Sequence, residues 1–224
     1  TSLMYSINNV FDKVYLINLE QDTDKYQTMK NKLDNLNIQF ELFKAIDGHK
    51  LNNCKLLRFG NKGAVGCKMS HMTILRNAKK NNYSKILILE DDIYFWKTFN
   101  EQFDSLYKEL MTKNKSWKVL YLGGCAHEPL PKTNNNIWEI GSARLYGSQA
   151  IGFDNSIYDT ILQYENDRRP YDDILAESIN RHNYIFRPYL IYQNVNKQST
   201  TSTINNKDQE FFNRLNSINP NNYL

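Results

Sequence analysis

Ile86-Leu87-Ile88-Leu89 runs without interruption into Glu90-Asp91-Asp92. Consecutive aliphatic side chains with no polar residue between them fit a strand covered on both faces, as in the parallel sheets of layered α/β proteins. The acids then fall at the carboxyl end of that strand, the edge beyond which open α/β sheets bind ligands. Adjacent carboxylates repel one another, and a divalent cation with oxygen ligands is the simplest group that would neutralise them. Solvated acids, or acids capping the next segment, are the competing account of the same residues.

The segments on either side extend this reading. Val14-Tyr15-Leu16-Ile17-Asn18-Leu19 is a second buried strand, followed by a helix with Asp22 or Thr23 as its cap and Tyr26, Met29, Leu33 and Leu36 on one stripe. A strand at 39–45, with Phe40 and Leu42 inward, completes a βαβ unit and ends in the turn Asp47-Gly48. A helix is expected over 63–80, with Val65, Met69, Met72 and Ala78 near one face, and another over 100–112, with Phe103, Leu106, Tyr107 and Leu110 on one side. Strands follow at 117–122 and 148–153, with a long loop at 126–137 between them. Next come a helix at 155–164 capped by Asn155, a helix from Pro170 to about Arg181, and one or two strands over 184–192. The polar remainder holds a modest helical candidate at 208–215.

The 224 residues fit one domain, with a core over about 13–200 and a polar tail over 194–224. No stretch reaches the roughly 18 apolar residues that cross a bilayer, and no signal-peptide pattern opens the chain. The opening Thr1 reads as a soluble domain taken from a longer protein. Net charge is +4, with basic residues scattered rather than clustered, so no nucleic-acid footprint is present. Cys54, Cys67 and Cys125 form no CxxC pair and read as reduced thiols, with Cys67 a packing residue. The expected location is cytoplasmic. His49, His71, His127 and His182 lack metal-ligand spacing.

Four blocks in order resemble glycosyltransferase family 25, the lipooligosaccharide and collagen galactosyltransferase type. They are Val14 to Leu19, then Phe43-Lys44-Ala45-Ile46-Asp47-Gly48, then Gly63-Ala64-Val65-Gly66-Cys67-Lys68-Met69-Ser70-His71, then Leu87-Ile88-Leu89-Glu90-Asp91-Asp92. Pro170-Tyr171-Asp172-Asp173, followed by Arg187-Pro188-Tyr189-Leu190, is similar to the family's C-terminal part. The resemblance implies an α/β fold of GT-A type, a nucleotide-binding sandwich with a mostly parallel central sheet flanked by helices. It further implies inverting transfer of galactose or glucose from a uridine diphosphate sugar (UDP-sugar) to a glycan or protein hydroxyl, with manganese or magnesium. This chain departs from the family at Ala64, where a glutamate is usual, and in having only Lys25 as a cation after the first strand. Loss of that carboxylate would weaken or redirect donor binding if it helps organise the donor site.

On this basis Asp92 is expected to ligate the metal directly, Asp91 to meet the ribose or the metal through water, and Glu90 to organise them. Asn18, Leu19, Lys25, Ala45, Asp47, Gly48, Ser70 and His71 are the other donor-site candidates, although a turn role explains Asp47-Gly48 equally well. Asp172 is the expected base, with Asp173 as the alternative; either also suits a helix cap. His182 is a further candidate for a metal or phosphate contact. A catalytically silent nucleotide-sugar-binding module is the second reading. A nucleotidyltransferase is a third, disfavoured because no Gly-rich basic phosphate loop stands near the N-terminus.

Overall fold

The computed structural model describes residues 4–52, 61–113, 116–126, 136–140, 145–179, 182–193, 210, 213–214 and 218–224. In chain order the strands are β1 (Lys13–Asn18), β2 (Glu41–Lys44), β3 (Lys85–Glu90), β4 (Ile93–Phe95), β5 (Val119–Tyr121), β6 (Cys125–Ala126), β7 (Ile137–Glu139), β8 (Leu145–Tyr146), β9 (Ala150–Asp154), β10 (Asn183–Phe186) and β11 (Ile191–Gln193). The helices are α1 (Ile7–Val10), α2 (Thr23–Asn35), α3 (Lys62–Lys80), α4 (Phe99–Thr112), α5 (Tyr158–Leu162) and α6 (Tyr171–Ser178).

Seven strands form the central sheet in the order β2-β1-β3-β9-β5-β10-β7. β1 pairs in parallel with both β2 and β3, and β5 in parallel with β10, whereas β9 and β7 run against their neighbours. The α/β expectation therefore holds, with five strands pointing one way. β3 is covered on both faces because its side chains alternate between two cores. Ile86 and Ile88 join Tyr15, Ile17, Met72 and Leu75 on the face covered by α3, α5 and α6. Leu87 and Leu89 join Val14, Leu16, Met29 and Phe103 on the face covered by α2 and α4. Burying each such side chain contributes about 1.5–3 kcal/mol, so this segment has no competing place in the fold.

Some local expectations are corrected. Leu42 is among the exposed large hydrophobics. β2 is one of the sheet's two edge strands, and Phe43, with Ala45 just beyond it, supplies the contact with the core instead. Met69 on α3 is also exposed, while Val65, Met72 and Ala78 are buried as expected. Asp22 occupies the cap position of α2 without a side-chain hydrogen bond to it. Asp154, not Asn155, caps the turn leading into α5, its carboxylate accepting from the Ser156 N–H at 3.0 Å. Asp154→Ala is expected to cost about 1 kcal/mol, read as a lower urea midpoint with unchanged slope. The helix expected at 208–215 and the loop at 126–137 fall largely outside the described residues, as does Cys54. No described helix is long and apolar enough to cross a membrane.

Candidate active site

The chain passes from β1 to β2 on one side, then returns to place β3 on the other side of β1. That reversal is a topological switch point, and the crevice beyond the carboxyl ends of the two flanking strands is where such sheets bind ligands. Asn18 ends β1 and Glu90 ends β3, so Asn18, Glu90, Asp91 and Asp92 meet at this crevice by topology. β9 runs antiparallel beside β3, which brings the residues just before it to the same edge. The Gln149 carbonyl accepts from the Glu90 N–H at 2.9 Å.

The three acids diverge to three sets of partners. Asp91 turns toward β1 and α2: it accepts from the Asn18 side-chain amide at 2.7 Å, and Lys25 Nζ lies 3.7 Å away. Burial raises its pKa, with the Lys25 charge opposing. Glu90 turns toward α3 and accepts from Ser148 Oγ at 2.7 Å, with His71 Nε2 at 3.2 Å and Cys67 Sγ at 3.8 Å. Asp92 turns toward β11, where Gln193 Nε2 donates to it at 2.8 Å. Asp92 is 5% exposed. Burial, and then the neighbouring Glu90 charge, push its pKa up to about 7.

Asp172 opens α6 above the same edge. Its carboxylate accepts from the backbone N–H of Gly147 at 3.3 Å and of Asp173 at 3.1 Å. Gly147 has φ +90°, a left-handed conformation that suits glycine, and an added Cβ would strike the Gln149 side chain. Burial raises the pKa of Asp172, and the Glu90 charge adds to the rise. Asp173 is raised to about 6 by burial and then by Asp172. Half-buried Cys125 on β6 also feels the Asp172 charge, after burial, and is pushed up to about 12.

Other candidates occupy the scaffold of this edge. Ser70 is fully buried; its hydroxyl accepts from the Ile46 N–H and donates to the Gly66 carbonyl, both at 2.8 Å. Gly48 is buried against the Lys62 carbonyl, and the Ala45 N–H donates to the Asn18 carbonyl at 2.8 Å. Asp47 accepts from the His49 N–H at 2.9 Å and from Gln21 at 3.2 Å, which is the turn geometry, yet it stays at the rim of the crevice. Leu19 follows β1 at the same rim. His71 is fully buried, stacked 4.5 Å from the Tyr171 ring. His182 is a correction: it has φ 59°, and its carbonyl accepts from the Lys118 N–H where β5 and β10 begin, at the opposite edge from the carboxylates.

Ser148, Gln193 and Gly147 were not visible as site residues from the sequence. Ser148 arrives only because β9 is antiparallel, and Gln193 only because β11 pairs with β4 in register Gln193↔Ile93. The Gln193 amide donates to Asp92, and this carboxylate, pushed toward neutral pH by burial and then by the Glu90 charge, is a residue that could hold a hard divalent cation.

The sequence profile of glycosyltransferase family 25 (LPS biosynthesis protein) matches residues 11–219. Procollagen galactosyltransferase 1-B of Xenopus laevis is 26% identical over 219 residues, covering 81% of this chain and 36% of that protein. Inactive glycosyltransferase 25 family member 3 of Homo sapiens is 27% identical over 129 residues, covering 50% of this chain and 22% of that one. The chain thus spans about a third or less of the length of these curated relatives. Among solved structures, a glycosyltransferase involved in the glycosylation of the major capsid of PBCV-1 aligns with TM-score 0.48 at 8% identity, covering 90% of this chain and 98% of that one.

Proposed function

Because the chain belongs to glycosyltransferase family 25, we propose that it transfers a hexose, galactose or glucose, from a UDP-sugar to a hydroxyl of a glycan or protein, with inversion and with manganese or magnesium. The observation that carries this reading is the placement of Glu90, Asp91 and Asp92 at the switch-point crevice, with Asp92 buried beside the Glu90 charge.

Asp92 is the direct ligand, and Asp91 reaches the metal through water or meets the ribose. A cation held there would supply a Lewis acid for the charge of the departing diphosphate. Gln193 holds one Asp92 oxygen in place, and Asn18 does the same for Asp91. Lys25 lies on the α2 side of Asp91 and adds positive charge where diphosphate charge develops. Asp172 takes the proton of the acceptor hydroxyl. The two backbone N–H groups fix its carboxylate, and burial makes it a stronger base than an exposed aspartate.

A specific observation favours a second reading, a silent nucleotide-sugar-binding module. Ala64 stands where the family has glutamate, and a relative bearing the name inactive covers half the chain. One experiment separates the two. Manganese and uridine diphosphate together are expected to raise the melting temperature, by about 2.7 kcal/mol of stabilisation at a hundredfold excess over Kd. A panel of UDP-sugars with manganese then releases uridine diphosphate for a transferase and none for a silent module. No thermal shift with any nucleotide and divalent ion removes both readings.

A further inference from the structure

Cys67 and His71 stand one helical turn apart on α3, four residues from each other, and so share a face. The Glu90 carboxylate at the end of β3 meets both. Its Oε1 lies 3.8 Å from Cys67 Sγ and 3.2 Å from His71 Nε2, and the three donor atoms all fall within 4.8 Å of one another. A tetrahedral zinc with bonds of about 2.0–2.3 Å separates its ligands by about 3.3 Å for nitrogen and oxygen and about 3.6 Å for sulfur and oxygen. The Glu90–His71 and Glu90–Cys67 pairs already stand close to those separations. A thiol, an imidazole and a carboxylate form a mixed set suited to a borderline-soft ion.

We infer that Cys67, His71 and Glu90 form a binding site for a thiophilic divalent ion, zinc or cadmium, separate from the hard-cation position at Asp92. On binding, the Cys67 S–H bond breaks, its proton leaves to solvent, and a sulfur–metal bond forms. His71 binds as the neutral ring through Nε2. Thiolate and carboxylate together balance the ion's two positive charges, in a region where buried Asp92 and Asp172 already crowd negative charge. Three protein donors leave the fourth position to water, with Ser148 Oγ 3.7 Å from Cys67 Sγ beside it. Without the ion, the same contacts are hydrogen bonds to Glu90. Glu90 is shared with the acidic cluster at the crevice, but the test reads cadmium binding and not transfer, so its failure and the failure of the transfer reading are distinguishable.

Cadmium is the probe, because its bond to thiolate gives an ultraviolet charge-transfer band. Titration of the full chain is expected to produce that band and saturate at one ion per chain, with excess manganese leaving it in place, since manganese is the weakest of the first-row divalent ions for such donors. Cys67→Ser removes the band. His71→Gln, which keeps the thiol, weakens cadmium binding by at least about tenfold. Cys125→Ser leaves both intensity and affinity unchanged. Each variant is scored only alongside a thermal transition that confirms it folds. The assignment is overturned if the folded wild type gives no band, if the band survives Cys67→Ser, or if His71→Gln binds cadmium as wild type does.

Discussion

Asp92→Asn is expected to abolish transfer and, at the same time, to make the ligand-free protein more stable at pH 8. Turnover from a UDP-sugar with manganese should fall by at least about a hundredfold, and the stabilisation by manganese plus uridine diphosphate should disappear. The stability gain follows from linkage. Burial and the Glu90 charge raise the folded-state pKa of Asp92 from 3.8 to about 7. The folded state therefore holds this proton more tightly than the unfolded chain does. The stability this supplies is complete below the unfolded value and is lost as pH rises through the folded one, between about 4 and 7. One pKa unit corresponds to about 1.4 kcal/mol, so at pH 8 the ionised carboxylate costs on the order of 2–4 kcal/mol. Asparagine is isosteric and still accepts from Gln193, but never ionises. Urea unfolding of both proteins from pH 4 to pH 8 should show the difference between them opening across that window. Parallel curves, or an active variant, would defeat the assignment of Asp92.

Once ionised, such a residue lowers the stability of the free protein. Its place was legible in the sequence because two signals coincide: a four-residue aliphatic run that only a doubly covered strand explains, and acids that begin where the run stops. β1 and α4 were legible for the same reason, since period and burial agree along their length, and α3 was legible apart from Met69. Strand direction was not. Ala150-Ile151-Gly152-Phe153 is as apolar as any parallel strand, and a buried strand carries the same pattern whichever way it runs. The antiparallel course of β9 is what delivers Ser148 to Glu90, so that contact had no sequence signal. Edge position was hidden likewise, which is why Leu42 looked like core. The cap before α5 was ambiguous because Asp154 and Asn155 are both good cap formers. Cys67 read as packing because no acid stands near it in the sequence of α3. Its neighbour in space is Glu90, on another element.

Gly66→Ala is expected to lower the melting temperature by about 5–10 °C, although alanine favours a helix interior over glycine by about 1 kcal/mol. The two blocks of sequence resemblance around Gly48 and Gly66 touch here. A Cβ built on Gly66 would lie 2.2 Å from the Ile46 carbonyl oxygen and 2.7 Å from the Gly48 N–H nitrogen. Gly48 in turn faces the Lys62 carbonyl, where its own Cβ would lie at 1.8 Å. Both obstacles are backbone, so no side chain can rotate to make room. Either α3 lifts away or the 46–48 turn does. The Ser70 hydroxyl, which links the Ile46 N–H to the Gly66 carbonyl, is strained in both cases. Overpacking of this kind costs about 1–3 kcal/mol, more where backbone must move, and in a protein of this size each kcal/mol lowers the melting temperature by about 2–4 °C. A melting temperature at or above that of the wild type would mean that the close approach of α3 to this turn is not what holds the helix over the crevice.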